Sequence, residues 1–317
     1  MILIQSIESD IITEYTIRWL NFKEVEYTLL TNDVVKSSTY SIGNKLNCIL
    51  LNINGKSIKL TDINVVWYRR STFTLDTKLN KNKYPKVFED NIKKFENKEY
   101  TALRQFIFTQ LENKFIINSP KDEHTNKLQN LQNALKVGLE IPETFITNQY
   151  LNLDISFEVI IKPISEIVNF YYKQYQCLTR TELFSSNKIN DFPTLFQKRI
   201  PKYFEIRTFY LRESCYSIAI FSQSNDNTLL DYRNYDLYNP TRSVPYKLPD
   251  LIEQKLIALM KSLKLNSGSI DIIYSTNNKY IFLEINPLGQ FYNVSYYGNY
   301  YLEKKIAEML IKYGNKY

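Results

Sequence analysis

The sequence predicts a multi-lobed protein of mixed α+β and α/β class, and three observations predict it. An apolar strand and a helix-period segment alternate at the start of the chain. Runs with period-two alternation fill its second half. The 317-residue length exceeds what one hydrophobic core ordinarily serves. An open α/β lobe followed by a largely antiparallel body is the expected order.

In the first lobe, MILIQS reads as a short apolar strand, and SDIITEYTIRWLNFK carries apolar residues at helical spacing, so the two make a β-α unit. NVVWYRR reads as a buried strand ending in a cationic cluster. Helical patterns then run from Tyr84 to Glu112. Past residue 118, the segment from Pro120 to Gly138 reads as an amphipathic helix with Leu128, Leu131 and Leu135 on one face, stopped by the glycine. VIIKPIS is a strand interrupted by Pro163. NFYYKQYQCLTR is β-rich, and LFQKRIPKYFEIRTFYLRESCYSIAIFSQ reads as strands with alternating faces. Residues 248–265 form a helix with an apolar face at Ile252, Leu256, Leu259, Met260 and Leu263.

Composition excludes some classes. A chain that is 44% hydrophobic and 15% aromatic has too many core-forming side chains to be disordered. Cys48, Cys177 and Cys215 are widely spaced and form no Cys-x-x-Cys pair, so they read as buried thiols in a reducing cytoplasm rather than as a disulfide framework or zinc knuckle. The N-terminus has no basic segment ahead of an apolar one, and no apolar run reaches the length of a membrane span. A soluble, unexported cytoplasmic protein with no membrane partner is expected. The formal charge of +7 suits an acidic partner, but the basic residues are spread along the chain, so charge selects nothing by itself.

The chemistry concentrates in GSIDIIYSTNNKYIFLEINPLGQF. If Asn277 and Asn278 form a two-residue turn, Asp271 lies directly opposite Glu284. Alternation then puts Asp271, Ile273, Phe282, Glu284 and Asn286 on one face, and Ile270, Ile272, Ile281, Leu283 and Ile285 on the core face. Directly opposed β-carbons are about 5 Å apart, so two carboxylates there repel unless something positive lies between them. Oxygen ligands from Asp271, Glu284 and Asn286, with neither His nor Cys, suit Mg²⁺ completed by phosphate oxygens and not zinc. A solvent-facing acidic pair on an edge hairpin is the competing reading; the Asn-Pro-x-Gly sequence and the wholly apolar reverse face favour the metal. Lys127 and Lys162 suit the other end of a triphosphate, and Lys162 follows three apolar β-branched residues. Arg207 in EIRTF, and Asp231 with Arg233 in LDYRNY, are candidates for gripping phosphate or carboxylate oxygens, or else structural ion pairs.

The series K…IIKP…FQ…EIR…DYR…GSIDII…FLEINP resembles the ATP-grasp fold. Within it, VVWYRR, FSQSNDNTLLDYRNY and FLEINPLGQFYNVSYYGNYYLEKKIAEML resemble the graspetide synthetases, the microviridin-type peptide maturases of the grasp-with-spasm subgroup. The resemblance implies an N-terminal pre-ATP-grasp α/β lobe (1–118), a central subdomain (119–195) and a C-terminal antiparallel-sheet subdomain with the Mg/ATP site (196–317). It implies ATP and Mg²⁺, with Lys127 and Lys162 on the phosphates and Phe196, Gln197, Lys198 and Ile200 in the hinge that holds adenine. It further implies Asp271, Glu284 and Asn286 on the metal, Arg207 near the γ-phosphate and the reacting carboxylate, and Asp231 with Arg233 on the core peptide. The implied activity is ATP-dependent side-chain ester or amide macrocyclisation through an acyl phosphate. Its substrate would be a ribosomal precursor peptide with a helical leader and a Thr/Glu/Asp-rich core, acted on by a homodimer that does not bind nucleic acid. Ile164 to Arg180 contains no glycine, so a β-hairpin is expected to cover the phosphates where other ATP-grasp enzymes use a glycine-rich loop. The sole histidine, His124, is expected to take no part. Two other readings compete: a ligase adding free amino acids to a peptide C-terminus, and a non-catalytic nucleotide-, RNA- or peptide-binding module.

Overall fold

The computed structural model describes residues 1–31, 39–43, 49–53, 55–70, 85–123, 125–148, 157–165, 169–172, 175–178, 181–184, 192–223 and 240–315. They fall into two compact units, Met1–Glu123 with Tyr301–Tyr317, and His124–Tyr300. In the first, β1 (Ile2–Gln5) leads into α1 (Ile11–Phe22) and β2 (Tyr27–Leu30). The small antiparallel sheet of β3 (Thr39–Ile42), β4 (Ile49–Ile53) and β5 (Lys56–Lys59) precedes β6 (Val65–Tyr68), α2 (Lys86–Leu111) and β7 (Phe115–Ile117). The main sheet, in order β2-β1-β6-β7, is parallel throughout. Parallel strands are covered on both faces, which is why β1 and β6 are buried along their whole length and read as unbroken apolar runs. Asp10 caps α1 by accepting from the Thr13 N–H at 3.0 Å, and the same carboxylate lies 3.4 Å from the buried guanidinium of Arg69. Burial pushes that guanidinium down to about 10, against the opposing pull of Asp10. The C-terminal helix, Leu302–Gly314, buries Leu302, Ile306, Ala307 and Leu310 and packs on α1 in this unit. An apolar stripe needs a partner, and α1 presents one.

The second unit begins with α3 (Lys127–Lys136), whose cap, Asn126, accepts from the N–H groups of Leu128 and Gln129. The helix therefore starts later than the sequence suggests: Pro120 opens only a 3₁₀ turn, Pro120–Asp122. Its buried face is Leu131 and Ala134, whereas Leu135 is 55% exposed, because three-residue spacing from Leu131 falls on the alanine. Gly138 adopts φ +79° just past the end, the conformation a helix stop requires.

The strands that follow are β8 (Thr144–Thr147), β9 (Val159–Lys162), β10 (Asn169–Tyr172), β11 (Tyr175–Leu178), β12 (Glu182–Leu183) and β13 (Thr194–Lys198). Four of them form an antiparallel sheet in the order β12-β9-β13-β8. β10 and β11 pair as a hairpin of their own, as the glycine-free stretch leads one to expect. A second antiparallel sheet comprises β14 (Lys202–Leu211), β15 (Ser214–Phe221), β16 (Arg242–Tyr246), β17 (Ser267–Ser275) and β18 (Tyr280–Asn286), in the order β16-β15-β14-β17-β18. Helix α4 (Asp250–Ser262) and α3 cover one face, packing Leu256, Leu259, Met260 and Leu131 on Ile206, Ile270, Ile272, Phe282 and Ile285. Cys215, whose thiol burial pushes up to about 12, sits against this core. It is inert at neutral pH. Helix α5 (Tyr292–Gly298) follows β18.

The β17-β18 ribbon departs from the simplest register twice. Its turn uses three residues, Thr276 to Asn278, closed by Ser275 N–H donating to the Lys279 carbonyl at 2.9 Å, with Asn278 alone at positive φ, +59°. That shifts the pairing by one, so Ile273 faces Ile281 and Ile272 faces Phe282. A bulge at Leu283 shifts it back, and Asp271 again faces Glu284. The expected opposition of the carboxylates is present, but Phe282 and Ile281 have exchanged faces. Phe282 is fully buried in the core and Ile281 turns to the side of the acids. Phe282→Ala should accordingly cost about 3–5 kcal/mol in urea unfolding and Leu283→Ala, at the half-buried bulge, clearly less; the reverse ranking would contradict the bulge.

Candidate functional site

The face of the second sheet that turns away from α3 and α4 carries the charged residues. Pairing of β14 with β17 sets Arg207 opposite Asp271 and Glu205 opposite Ile273, and an irregularity between Lys202 and Phe204 brings Lys202 onto the same face. One Arg207 nitrogen, Nη1, donates to both Asp271 oxygens at 2.7 and 2.6 Å, and Nη2 donates to the Gln290 carbonyl at 3.3 Å. Lys202 and Glu205 form a second ion pair, and both are buried.

Lys127 reaches the site from the first turn of α3. Its Nζ lies 3.9 Å from a Glu284 oxygen and donates to the Pro163 carbonyl at 3.4 Å. A cation in a first turn opposes the helix dipole, so this placement does not serve the helix. It serves the carboxylate and the end of β9. Each acid of the ribbon thus has a cation against it, and the repulsion inferred from the sequence is met by side chains.

A cavity opens between these acids and the β9-β13 sheet. Asp271, Glu284, Lys202 and Glu205 line one wall, and Lys162, Ile160, Gln197, Lys198 and Ile200 line the other. The main chain joins the walls, since Glu140 bridges Ile281 and its carbonyl accepts from the Phe282 N–H at 2.8 Å. Of the hinge residues read from the sequence, Phe196 stands apart. Its ring is fully buried behind the sheet, stacked on Phe145 at 5.1 Å and edge-on to Phe184. Lys198 directs its ammonium to Glu143 at 2.6 Å and over the Phe157 ring at 4.6 Å.

Asn286 is exposed, opposite Ser269, two residues beyond Glu284 and outside the cavity lining. The turn after it is tight: Gly289 N–H donates to the Asn286 carbonyl at 2.9 Å. A β-carbon on Gly289 would lie 2.7 Å from the Ser269 β-carbon and 2.8 Å from that same carbonyl. Space, not backbone freedom, requires this glycine. Asp231, Arg233 and His124 lie outside the described residues.

Lys162, Gln197, Lys198, Ile200, Asp271 and Glu284 therefore meet at one cavity, with Arg207 and Lys127 joined to its acids. Sequence reading missed Lys202 and Glu205. Glu205 carried a signal, standing two residues before Arg207 on one strand face. Lys202 carried none, because only the irregularity turns it inward. Among the described residues no three His, Cys, Asp or Glu side chains cluster as a metal site. Two carboxylates suit a hard cation that draws its remaining oxygens from a ligand and from water. Gly289→Ala should lower stability by about 1–3 kcal/mol in thermal unfolding, because Ser269 and the Asn286 carbonyl must give way.

No protein-family model matches the sequence, and no curated protein matches it. Solved structures do. A RiPP-associated ATP-grasp ligase of Chryseobacterium gregarium, in complex with ADP and a leader and core peptide, superposes with a TM-score of 0.80 at 22% identity, over 98% of this chain and 96% of that one. The macrocyclase MdnC of Microcystis aeruginosa MRC, bound with the precursor peptide MdnA, gives 0.77 at 24% identity over 98% and 99%. The macrocyclase MdnB of the same organism gives 0.72 at 21% over 98% of each chain. Over almost its whole length, this chain has the fold of the ATP-grasp ligases.

Proposed function

We propose that the protein is an ATP-dependent ligase that activates a peptide side-chain carboxylate as an acyl phosphate and lets a Thr or Ser hydroxyl, or a Lys amine, displace the phosphate. The product is an intramolecular ester or amide crosslink in a ribosomal precursor peptide. The observation that carries this reading is the Asp271–Glu284 opposition, each acid paired with a cation, at the wall of a cavity whose other wall holds Lys162 and Gln197. Other features fit a magnesium nucleotide. Apolar Ile160 and Ile200 suit a base, and the Gln197 side-chain oxygen is buried with no hydrogen-bond partner among the described residues.

When bound, the magnesium nucleotide supplies the phosphoryl group and neutralises charge during its transfer. Asp271, Glu284 and Asn286 would hold the metal, while Lys127 and Lys162 would grip phosphate oxygens. Arg207, held beside the site by the Gln290 carbonyl, would present its guanidinium to the γ-phosphate and the carboxylate being activated. Asp231 and Arg233 are assigned to the core peptide. In this proposal the chain divides into lobes at 1–118, 119–195 and 196–317 and acts as a cytoplasmic homodimer that docks a helical leader and crosslinks a microviridin-type core.

The test uses synthetic peptides rich in Thr, Glu and Asp, incubated with the full chain, ATP and Mg²⁺ and followed by mass spectrometry. The expected result is loss of one water per crosslink with ADP and phosphate released, and a rate at least about 100-fold lower for Glu284→Gln. A gain of residue mass in place of water loss, or full activity in Glu284→Gln, would overturn the reading.

A further inference from the structure

The cavity contains a buried amide whose orientation is set from behind. Gln197 is 2% exposed and belongs to the lining. Its Nε2 donates to Thr144 Oγ1 at 3.1 Å, across the β13-β8 pair, and Thr144 Oγ1 donates in turn to the Pro142 carbonyl at 2.7 Å. A hydroxyl has one hydrogen. Because the Pro142 carbonyl, which can only accept, takes it, Thr144 Oγ1 can only accept from Gln197. The amide nitrogen is therefore the end that faces β8. The other end, Oε1, is buried with no partner among the described residues. An orphaned acceptor of this kind is costly unless a ligand donor completes it.

We propose that Thr144, acting through Gln197, makes this cavity selective for a purine that carries a 6-amino group. This rests on the nucleotide reading above and goes beyond it in assigning base choice to a fixed amide. The exocyclic amine of adenine donates, whereas the 6-oxygen of hypoxanthine or guanine only accepts. Facing Oε1, that oxygen sets two acceptors against each other. Reversing the amide would admit a 6-oxo base, but then the Thr144 hydrogen would be contested by Gln197 Oε1 and the Pro142 carbonyl, and one hydrogen bond of the relay would be lost. Thr144 is thus a positioning residue with no contact to the base required of it.

The experiment is calorimetric titration of the full chain, in Mg²⁺, with ATP and with inosine triphosphate, whose base has a 6-oxygen in place of the amine. Wild type should bind ATP about tenfold or more tightly than inosine triphosphate. Thr144→Val, which keeps shape and strand propensity but cannot accept, should bring that ratio to within about threefold. Thr144→Ser should keep the wild-type ratio. Gln197→Met, which removes the acceptor, should lower ATP binding towards that of inosine triphosphate and leave the latter little changed. A wild-type preference that survives in Thr144→Val, or a wild type that binds both nucleotides equally, overturns the proposal alone. A wild type that binds neither overturns the nucleotide reading and this proposal together.

Discussion

Two acids face each other across the β17-β18 ribbon, and their charge must be met. At the roughly 5 Å of directly opposed residues, like charges repel by about 3 kcal/mol at an effective dielectric constant near 20. That is a large fraction of a domain's net stability. The surroundings follow from this constraint. Arg207 comes from the neighbouring strand to Asp271, and Lys127 comes from a helix start where its charge is otherwise unwelcome. A ribbon needed only for packing would carry apolar residues here, as its reverse face does.

The register device that produces this arrangement also explains the core. A three-residue turn and a one-residue bulge are each a slip of one, and either alone would turn one acid of the pair away from the other. Together they cancel at Asp271 and Glu284. Between the two irregularities the strand is out of the simple phase, and there a phenylalanine enters the α3-α4 core while an isoleucine turns to the charged side. Bulges of this kind re-aim side chains next to functional sites. The tight turn at Gly289 extends the same logic past the end of the strand, holding Gln290 where its carbonyl accepts from Arg207.

Much of this was legible in the sequence. Period-two alternation around Asp271 and Glu284, unbroken apolar runs in the parallel strands and the 3.6-residue period of α4 are strong local patterns, and each corresponds to an element of the expected type. What escaped was set by geometry that alternation does not encode. The buried stripe of α3 runs through Ala134 instead of Leu135, because the helix is oriented by what it packs on and not by side-chain size. Lys202 enters the site only through an irregularity, and Phe196, read as part of a hinge, stacks behind the sheet. Thr144 gave no signal at all, since an isolated threonine in a strand reads as β-propensity alone.

In the proposed reading, the ion pairs of the site do more than neutralise. With Arg207 on Asp271 and Lys127 on Glu284, a divalent ion arriving alone must compete with cations already seated in a partly buried, low-dielectric setting, where displacement is expensive. A polyphosphate changes that balance, because its oxygens are better partners for the same lysine and arginine, and drawing them off leaves both carboxylates to the metal. Two ligands that each relieve what the other must disrupt are coupled, and the coupling is reciprocal by thermodynamic necessity. In that reading the residues assigned to the metal are neutralised by cations that a polyphosphate would draw off, so that binding of the ion and of the phosphoryl donor would be coupled.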